Sequence, residues 1–467
     1  MEASGEFATV RVRVKSQRSE VQKDAQGRFL GSGVYDLRLF RDGQLVGWAP
    51  RDSVKWQSES NVRGTEADGI DLPDWRKAHQ VKSGLPEVER VEADGTMVVR
   101  FDHVRLPRRA GQKEVVFSAY AFNEDRVKST TATRNIPLPA GIKPRMGKAY
   151  VISLGVNRTR STPPAWDLSY AVNDARELSR VVSRKLRDTR QFADVVPVCL
   201  VSDDAKAVAK KEDRCDTELP GTKESLQAVL DLLAGRPVKE PIRTQLSKFT
   251  ERAQPEDLVL ISVSSHGYTD DRGTFHFVTA DVNAPQQVTP GLDRSTLNTD
   301  QLSAWLREVD AGELVLIVDA CESEATVQSE GFKPGPMGSR GLGQLAYDKG
   351  MRVLAASKAR ESAYERDKIG HGLLSYALVT KGLEEGEADW QPKDNRITMS
   401  EWLGYAEQEV PKLFAEGEAR GGVQRRGAPA GTRDVYHGQK KTPAPYQQPT
   451  LFDFAKGRDS EIATARR

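Results

Sequence analysis

The feature that most constrains this chain is the run Leu314-Val315-Leu316-Ile317-Val318-Asp319-Ala320-Cys321, an apolar stretch that ends abruptly in an acid, a small residue and a thiol. Periodicity alone does not separate such a run from a buried helix, but its shortness and β-branched content favour a parallel strand covered on both faces. In open α/β sheets, chemistry gathers just beyond the carboxyl ends of such strands, where Cys321 stands. Similar runs occupy Tyr150–Val156, Val195–Val201, Leu258–Val263 and Met351–Ser357. Helical patterns separate them. Leu168, Ala171, Val172, Ala175, Leu178, Val181 and Val182 mark a helix over Leu168–Leu186. Lys223 to Leu233 reads as helical, is broken near Pro237 and Pro241, and resumes toward Ala253. Thr274–Thr279 suggests a small hairpin, and Asn298–Val309 a helix capped by Thr299 with Trp305 on its buried face. His371–Leu383 and Ile397–Phe414 complete the helices. Repeated βα units predict a mostly parallel sheet flanked by helices, with right-handed crossovers.

The first part of the chain carries a different period. Thr9–Val14, Tyr35–Phe40, Met97–Phe101 and Val115–Phe122 alternate apolar and polar residues, and Asp42-Gly43 and Asp94-Gly95 suit tight hairpins. These patterns predict an all-β sandwich over residues 8–136, then a Pro/Gly-rich and basic linker at 137–147, an α/β domain at 148–455 and a polar tail at 456–467. Ser53–Ser83, polar and rich in Gly and Asp, reads as a long loop, and Met1–Phe7 as either a leader remnant or a natural start. His79 and His103 stand isolated from other chemistry-bearing residues.

Lys plus Arg number 69 against 67 Asp plus Glu, a formal charge of +2, so no broad attraction to nucleic acid or to an anionic membrane is expected. The three cysteines, Cys199, Cys215 and Cys321, are too few for a disulfide framework and fit a reducing compartment. Cys199 and Cys215 lack the partners of a zinc site, and no metal is expected. No apolar stretch approaches the roughly 18 residues of a membrane span, and the N-terminus lacks a signal-peptide core, so a cytoplasmic protein is expected.

The chemistry concentrates at two strand ends. His266 follows the third strand in Ser264-Ser265-His266-Gly267, and Cys321 lies 55 residues later, with a hairpin and one crossover helix between. Adjacent parallel strands would bring both to one edge of the sheet, giving a thiol and the base that ionises it. Gly267 would let backbone approach a substrate, and its N–H with that of Cys321 would form an oxyanion hole. His276 and His371 are rival bases, although one lies in a hairpin and the other at a helix start. Taken singly, a cysteine ending a strand is a small core residue and His-Gly is a common turn.

The ordered set of the Tyr150–Gly155 strand, Tyr170-Ala171-Val172-Asn173-Asp174-Ala175, Ser264-Ser265-His266-Gly267 and Asp319-Ala320-Cys321 resembles the caspase-like cysteine peptidases: caspases, metacaspases and bacterial orthocaspases. Leu354-Ala355-Ala356-Ser357, Ser362-Ala363-Tyr364-Glu365 and Gly370-His371-Gly372-Leu373-Leu374-Ser375-Tyr376-Ala377-Leu378 are similar to downstream segments of bacterial members, so the resemblance spans about Lys148 to Phe454. That clan's signature places the histidine about 50 residues before the cysteine. Leu37–Phe40, Asp42-Gly43 and Leu45-Val46-Gly47 resemble the immunoglobulin-like module that precedes some bacterial peptidase domains.

The resemblance implies a cysteine endopeptidase with His266 as base and Cys321 as nucleophile, acting on protein substrates and requiring no cofactor. It carries Asp319, Asp174 and Ser264 into the pocket that receives the substrate residue before the cut. Caspases have Gln two positions before the cysteine, where this chain has Asp319. A buried carboxylate there favours a cation through a charge-assisted bond of about 1.5–3 kcal/mol, so cleavage after Arg, then Lys, is expected. Alternatively, Asp319 caps a following helix and Asp174 is a helix-surface carboxylate. The Gln328–Leu345 loop falls where the family's activation linker lies, offering Lys333 and Arg340 for self-cleavage or serving as a plain loop. An activating protein or upstream protease would be a second partner. Calcium activation stays open, since Asp203-Asp204 and Asp270-Asp271 are too short to specify a site. Glu322-Ser323-Glu324 replaces the family's usual His-Ser-Gly, so a catalytically weakened scaffold is the alternative. A nucleotide-binding reading lacks a Gly-rich phosphate cradle.

Overall fold

In a computed structural model of the chain, residues 2–23, 25–27, 29–51, 72–160, 167–202, 214–269, 274–282, 296–322, 340–356, 364–366, 369–419, 424–425, 447–455 and 457–465 are described. They form two compact units, Met1–Arg145 with Gln254–Glu256 and Met146–Ala253 with Asp257–Arg467.

The alternating segments of the first unit become antiparallel strands: β1 (Glu2–Ser4), β2 (Phe7–Val14), β3 (Arg18–Lys23), β4 (Phe29–Gly31), β5 (Tyr35–Arg41), β6 (Gln44–Ala49), β7 (Val88–Val91), β8 (Met97–Arg105), β9 (Glu114–Phe122) and β10 (Ala132–Pro137). Two four-stranded sheets, ordered β1-β2-β8-β7 and β10-β9-β5-β6, share one core that includes Val10, Leu37, Leu39, Val99, Phe101, Val115 and Phe117. Asp42 and Gly43, both at positive φ, join β5 to β6 in the geometry that matches strand twist.

Three expectations change here. Helix α1 (Leu72–His79) lies within the stretch expected as loop, because Trp75 stacks on Tyr35 at 5.5 Å and buries one helix face. Leu138 and Ile142, in the expected linker, pack against the sandwich core. Glu2–Ser4, expected as part of a leader or start, pairs with Phe7–Thr9.

The second unit is mixed α/β, built on a largely parallel sheet. Its elements are β11 (Lys148–Gly155), α2 (Ala171–Thr189), β12 (Asp194–Val201), β13 (Glu218–Pro220), α3 (Lys223–Ala234), α4 (Ile242–Gln245), β14 (Leu258–Thr269), β15 (Phe275–Phe277), β16 (Leu297–Asn298), α5 (Thr299–Arg307), β17 (Glu313–Glu322), α6 (Arg340–Lys349), β18 (Arg352–Ala355), β19 (Tyr364–Arg366), β20 (His371–Gly372), α7 (Leu373–Tyr376), a π-helical stretch at Ala377–Glu384, β21 (Arg396–Thr398), α8 (Met399–Ala419), β22 (Gln424–Arg425), β23 (Thr450–Asp453) and β24 (Glu461–Thr464). The main strand order is β13-β12-β11-β14-β17-β18-β23, parallel except for β23. Along β14 and β17 the apolar residues divide between two faces. Leu258, Leu260, Val315 and Ile317 meet α2, α7 and α8, while Val259, Ile261, Leu314 and Leu316 meet α3, α5 and α6.

Local details also depart from expectation. Only Ile242–Gln245 is helical in the stretch toward Ala253. Helix α5 is capped by Asn298, whose side chain accepts from the Gln301 N–H in a capping box, and Trp305 is only partly buried. The expected polar tail is part of the fold. Strand β24 pairs with β21 and buries Ile462 and Ala463, because these apolar residues complete the core under α2.

Candidate functional site

The strand order determines where a site can form. From β11 the chain winds outward to β12 and β13, then returns to β14 on the other side, so the winding direction reverses between β11 and β14. At such a reversal the connections leave in opposite directions, opening a crevice at the carboxyl ends of the strands. Strand β14 pairs with β17 from Leu258 opposite Glu313 to Gly267 opposite Glu322. That register sets His266 opposite Cys321 and Ser264 opposite Asp319. His266 is half-buried, while Ser264 and Asp319 are buried.

Both strands run further than their apolar cores suggest. Gly267 therefore lies inside the sheet, between Phe277 of β15 and Glu322 of β17, and not in a turn after a strand. A Cβ there would stand 2.4 Å from Phe275 Cζ and 3.2 Å from Ala320 Cβ, so packing already demands glycine. Gly155 has a comparable role at the end of β11, where a Cβ would meet the Ala171 carbonyl oxygen at 2.4 Å. Its absence lets α2 begin directly over the sheet. The first turn of α2 is held by Asn157, whose Oδ1 accepts from the Val172 N–H at 3.1 Å and whose own N–H donates to Ser202 Oγ at 3.0 Å. Sequence reasoning passed over Asn157, which lies 15 residues before the amide it accepts from and so leaves no local capping signal.

Starting α2 so close delivers Asp174 to the crevice. Asp174 is 1% exposed, which corrects the surface-carboxylate reading: burial requires donors, and it has them. Its Oδ1 accepts from His371 Nδ1 at 2.9 Å and from the Gly372 N–H at 3.2 Å, and its Oδ2 from Ser264 Oγ at 3.4 Å. Burial pushes the His371 pKa down, but the hydrogen bond and charge of Asp174, with the charge of Glu177, outweigh it and raise the pKa above the ordinary value. Asp319 lies within β17, so it is not a helix cap, and its Oδ2 accepts from Ser375 Oγ at 3.3 Å. Asp174, Ser264, Asp319 and Ser375 line one small cavity of about 10 Å³, walled by Leu178 and Ile317. The structure thus gathers Asp174, Ser264 and Asp319 beside the His266–Cys321 register, adds Ser375 to the pocket lining and sets His371 against Asp174, neither of which sequence reasoning had assigned there.

The remaining candidates lie elsewhere. His276 is buried, bonds Thr296 Oγ1 through Nδ1 at 2.8 Å and stacks on Tyr268 at 4.8 Å, an arrangement that fills core. Arg340 opens α6, so the expected loop ends there, because Leu342, Leu345 and Ala346 are buried at helical spacing. Lys333 lies outside the described residues, as do Ser323, Glu324, Asp203-Asp204 and Asp270-Asp271. Cys199 and Cys215 form a disulfide, Cα to Cα 6.0 Å, where a free pair was expected from a reducing compartment. Among the described residues no helix is long and apolar enough to cross a membrane, and no group of three or more His, Cys, Asp or Glu is placed to hold a metal ion. In comparisons with known proteins, no family model and no curated protein matches the chain.

Proposed function

We propose that the chain is a cysteine endopeptidase of the caspase-like kind, cutting protein substrates after Arg and less readily after Lys. The observation that carries the reading is the register of His266 against Cys321 at the carboxyl end of a parallel sheet. In this reading His266 takes the thiol proton, and the thiolate attacks the carbonyl carbon of the scissile peptide. Backbone N–H groups at the two strand ends, those of Gly267 and Cys321, stabilise the oxyanion. His266 then returns the proton to the leaving amine, and water hydrolyses the acyl-enzyme.

Selectivity rests on the neighbouring pocket, whose buried carboxylates on Asp174 and Asp319 suit a guanidinium better than an acid or an apolar group. The N-terminal sandwich, which resembles an immunoglobulin-like module, would recruit a substrate or an activating protein. A second reading, a weakened domain that binds proteins without cutting them, is favoured by Glu322, whose backbone stands opposite Gly267 next to the proposed nucleophile.

Fluorogenic peptides with Arg, Lys or Asp before the reporter separate the two. Wild type should turn over the Arg peptide, and Cys321→Ala or His266→Ala should lower kcat/KM by at least about 10³-fold. Turnover that survives Cys321→Ala would sink the peptidase reading, and preference for Asp would sink the pocket assignment alone.

A further inference from the structure

Asp174 lies in a proposed cation pocket, yet its carboxylate already has a titratable partner. His371 Nδ1 stands 2.9 Å from Asp174 Oδ1, and the next residue donates its backbone N–H to both carboxylate oxygens at 3.2 and 3.3 Å. The partner comes from β20, 197 residues along the chain, and leads into α7, which supplies Ser375 to Asp319. One short segment therefore holds both pocket acids. We infer that His371 is a positioning and specificity residue that sets the charge of this pocket: neutral His371 leaves Asp174 to bind a guanidinium group, and protonated His371 cancels that charge and repels it. This rests on reading the pocket as the cation-binding subsite and adds a proton-linked control to it.

Among the described residues, the charged groups placed against His371 come from α2 and from β19, which pairs with β20. From α2 come Asp174 and Glu177, the latter paired with Arg180 at 2.5 Å. Across from β20, Arg366 stands in register with His371 and Glu365 with Gly372. Helix α7 contributes Ser375 and Tyr376 and no charge. Asp174 is thus the carboxylate in direct contact with the imidazole, so a cation held by Asp174 feels the charge of His371 through that shared carboxylate. Against the effect of burial, the hydrogen bond and charge of Asp174 raise the His371 pKa above its ordinary value.

The sign follows from linkage. A guanidinium disfavours the protonated imidazole, so binding releases a proton and affinity rises as pH rises through the His371 pKa, by at most about tenfold per pH unit, and then levels off. The probe is N-acetyl-arginine amide, a monocation, titrated calorimetrically into the full chain between pH 5.5 and 8.5. Wild type should follow that rise, while His371→Gln, which keeps a donor toward Asp174 but cannot be charged, should bind with an affinity that changes by less than about twofold between pH 5.5 and 8.5.

NMR of the histidine ring protons supplies a readout that needs no variant, since saturating the wild type with the probe should lower the His371 pKa. Equal pH profiles in wild type and His371→Gln, an unmoved His371 pKa, or no binding at any pH would each overturn the inference. Failure of the peptidase reading appears separately, as absent Cys321-dependent turnover alongside intact proton-linked binding.

Discussion

Gly267 illustrates how a residue chosen for one reason can be required for another. The sequence suggests a glycine that lets a substrate approach, but the geometry shows Phe275 occupying the space a Cβ would need. Gly267→Ala forces Phe275 from its place among Phe277 and Ala320, and overpacking of this kind costs about 1–3 kcal/mol. Urea unfolding should show that loss, and trimming the obstacle with Phe275→Leu in the same chain should recover part of it. No recovery would mean that Phe275 is not the obstacle. The same comparison limits what could be read early: Phe275 is eight positions away, and only the β14–β15 register brings it over the glycine. Asp174 makes the point in reverse. The resemblance implied a pocket role for it, but the donors that make its burial tolerable come from His371, Gly372 and Ser264, all remote in sequence.

Among the elements, β18 and the segment before β24 are tied by charge as much as by packing. Arg352, at the start of β18, donates to Glu313 at 2.5 Å, to Asp453 at 3.0 Å and to the Arg458 carbonyl oxygen at 2.8 Å, while Ser460 Oγ donates to Glu313 at 2.5 Å. Glu313 and Arg352 are buried, so removing Arg352 takes away the closest cation of a buried carboxylate and leaves it with Ser460 and, at 3.7 Å, Arg458. Arg352→Ala should cost about 3–5 kcal/mol by chemical denaturation, whereas Arg352→Met combined with Glu313→Leu should cost clearly less. A double variant as damaging as the single one would show that the network holds the C-terminal segment in a way apolar contact cannot replace. The strands it joins were legible as apolar runs. The network was not, because residues 313, 352, 453 and 460 form no local pattern.

Across the whole molecule, two compact units carry separate cores, and the candidate site belongs to the second. Its sheet was readable because burial on two faces leaves short β-branched runs, and its sandwich partner because one wet face leaves alternation. The C-terminal end was misread as a polar tail, since four residues of strand among charges give little periodic signal. Removing residues 456–467 takes Ile462 and Ala463 from the core under α2 and deprives Glu313 of Ser460. The deletion should therefore destabilise the second unit by at least as much as truncating one buried isoleucine, about 2–5 kcal/mol, seen as a lower urea midpoint and faster limited proteolysis. An unchanged midpoint would mean that β24 is dispensable to the fold.

Sequence by itself determined the strands, their faces and the positions of His266 and Cys321 at two strand ends, because hydrophobic burial writes a short-range period into the chain. Tertiary structure alone decided the register that sets those two residues side by side, the pairing of Asp174 with His371 and the gathering of two acids into one pocket. Hydrogen bonds and ion pairs between distant segments depend on how the sheet is wound and on where each helix starts, and neither leaves a mark in the local order of residues.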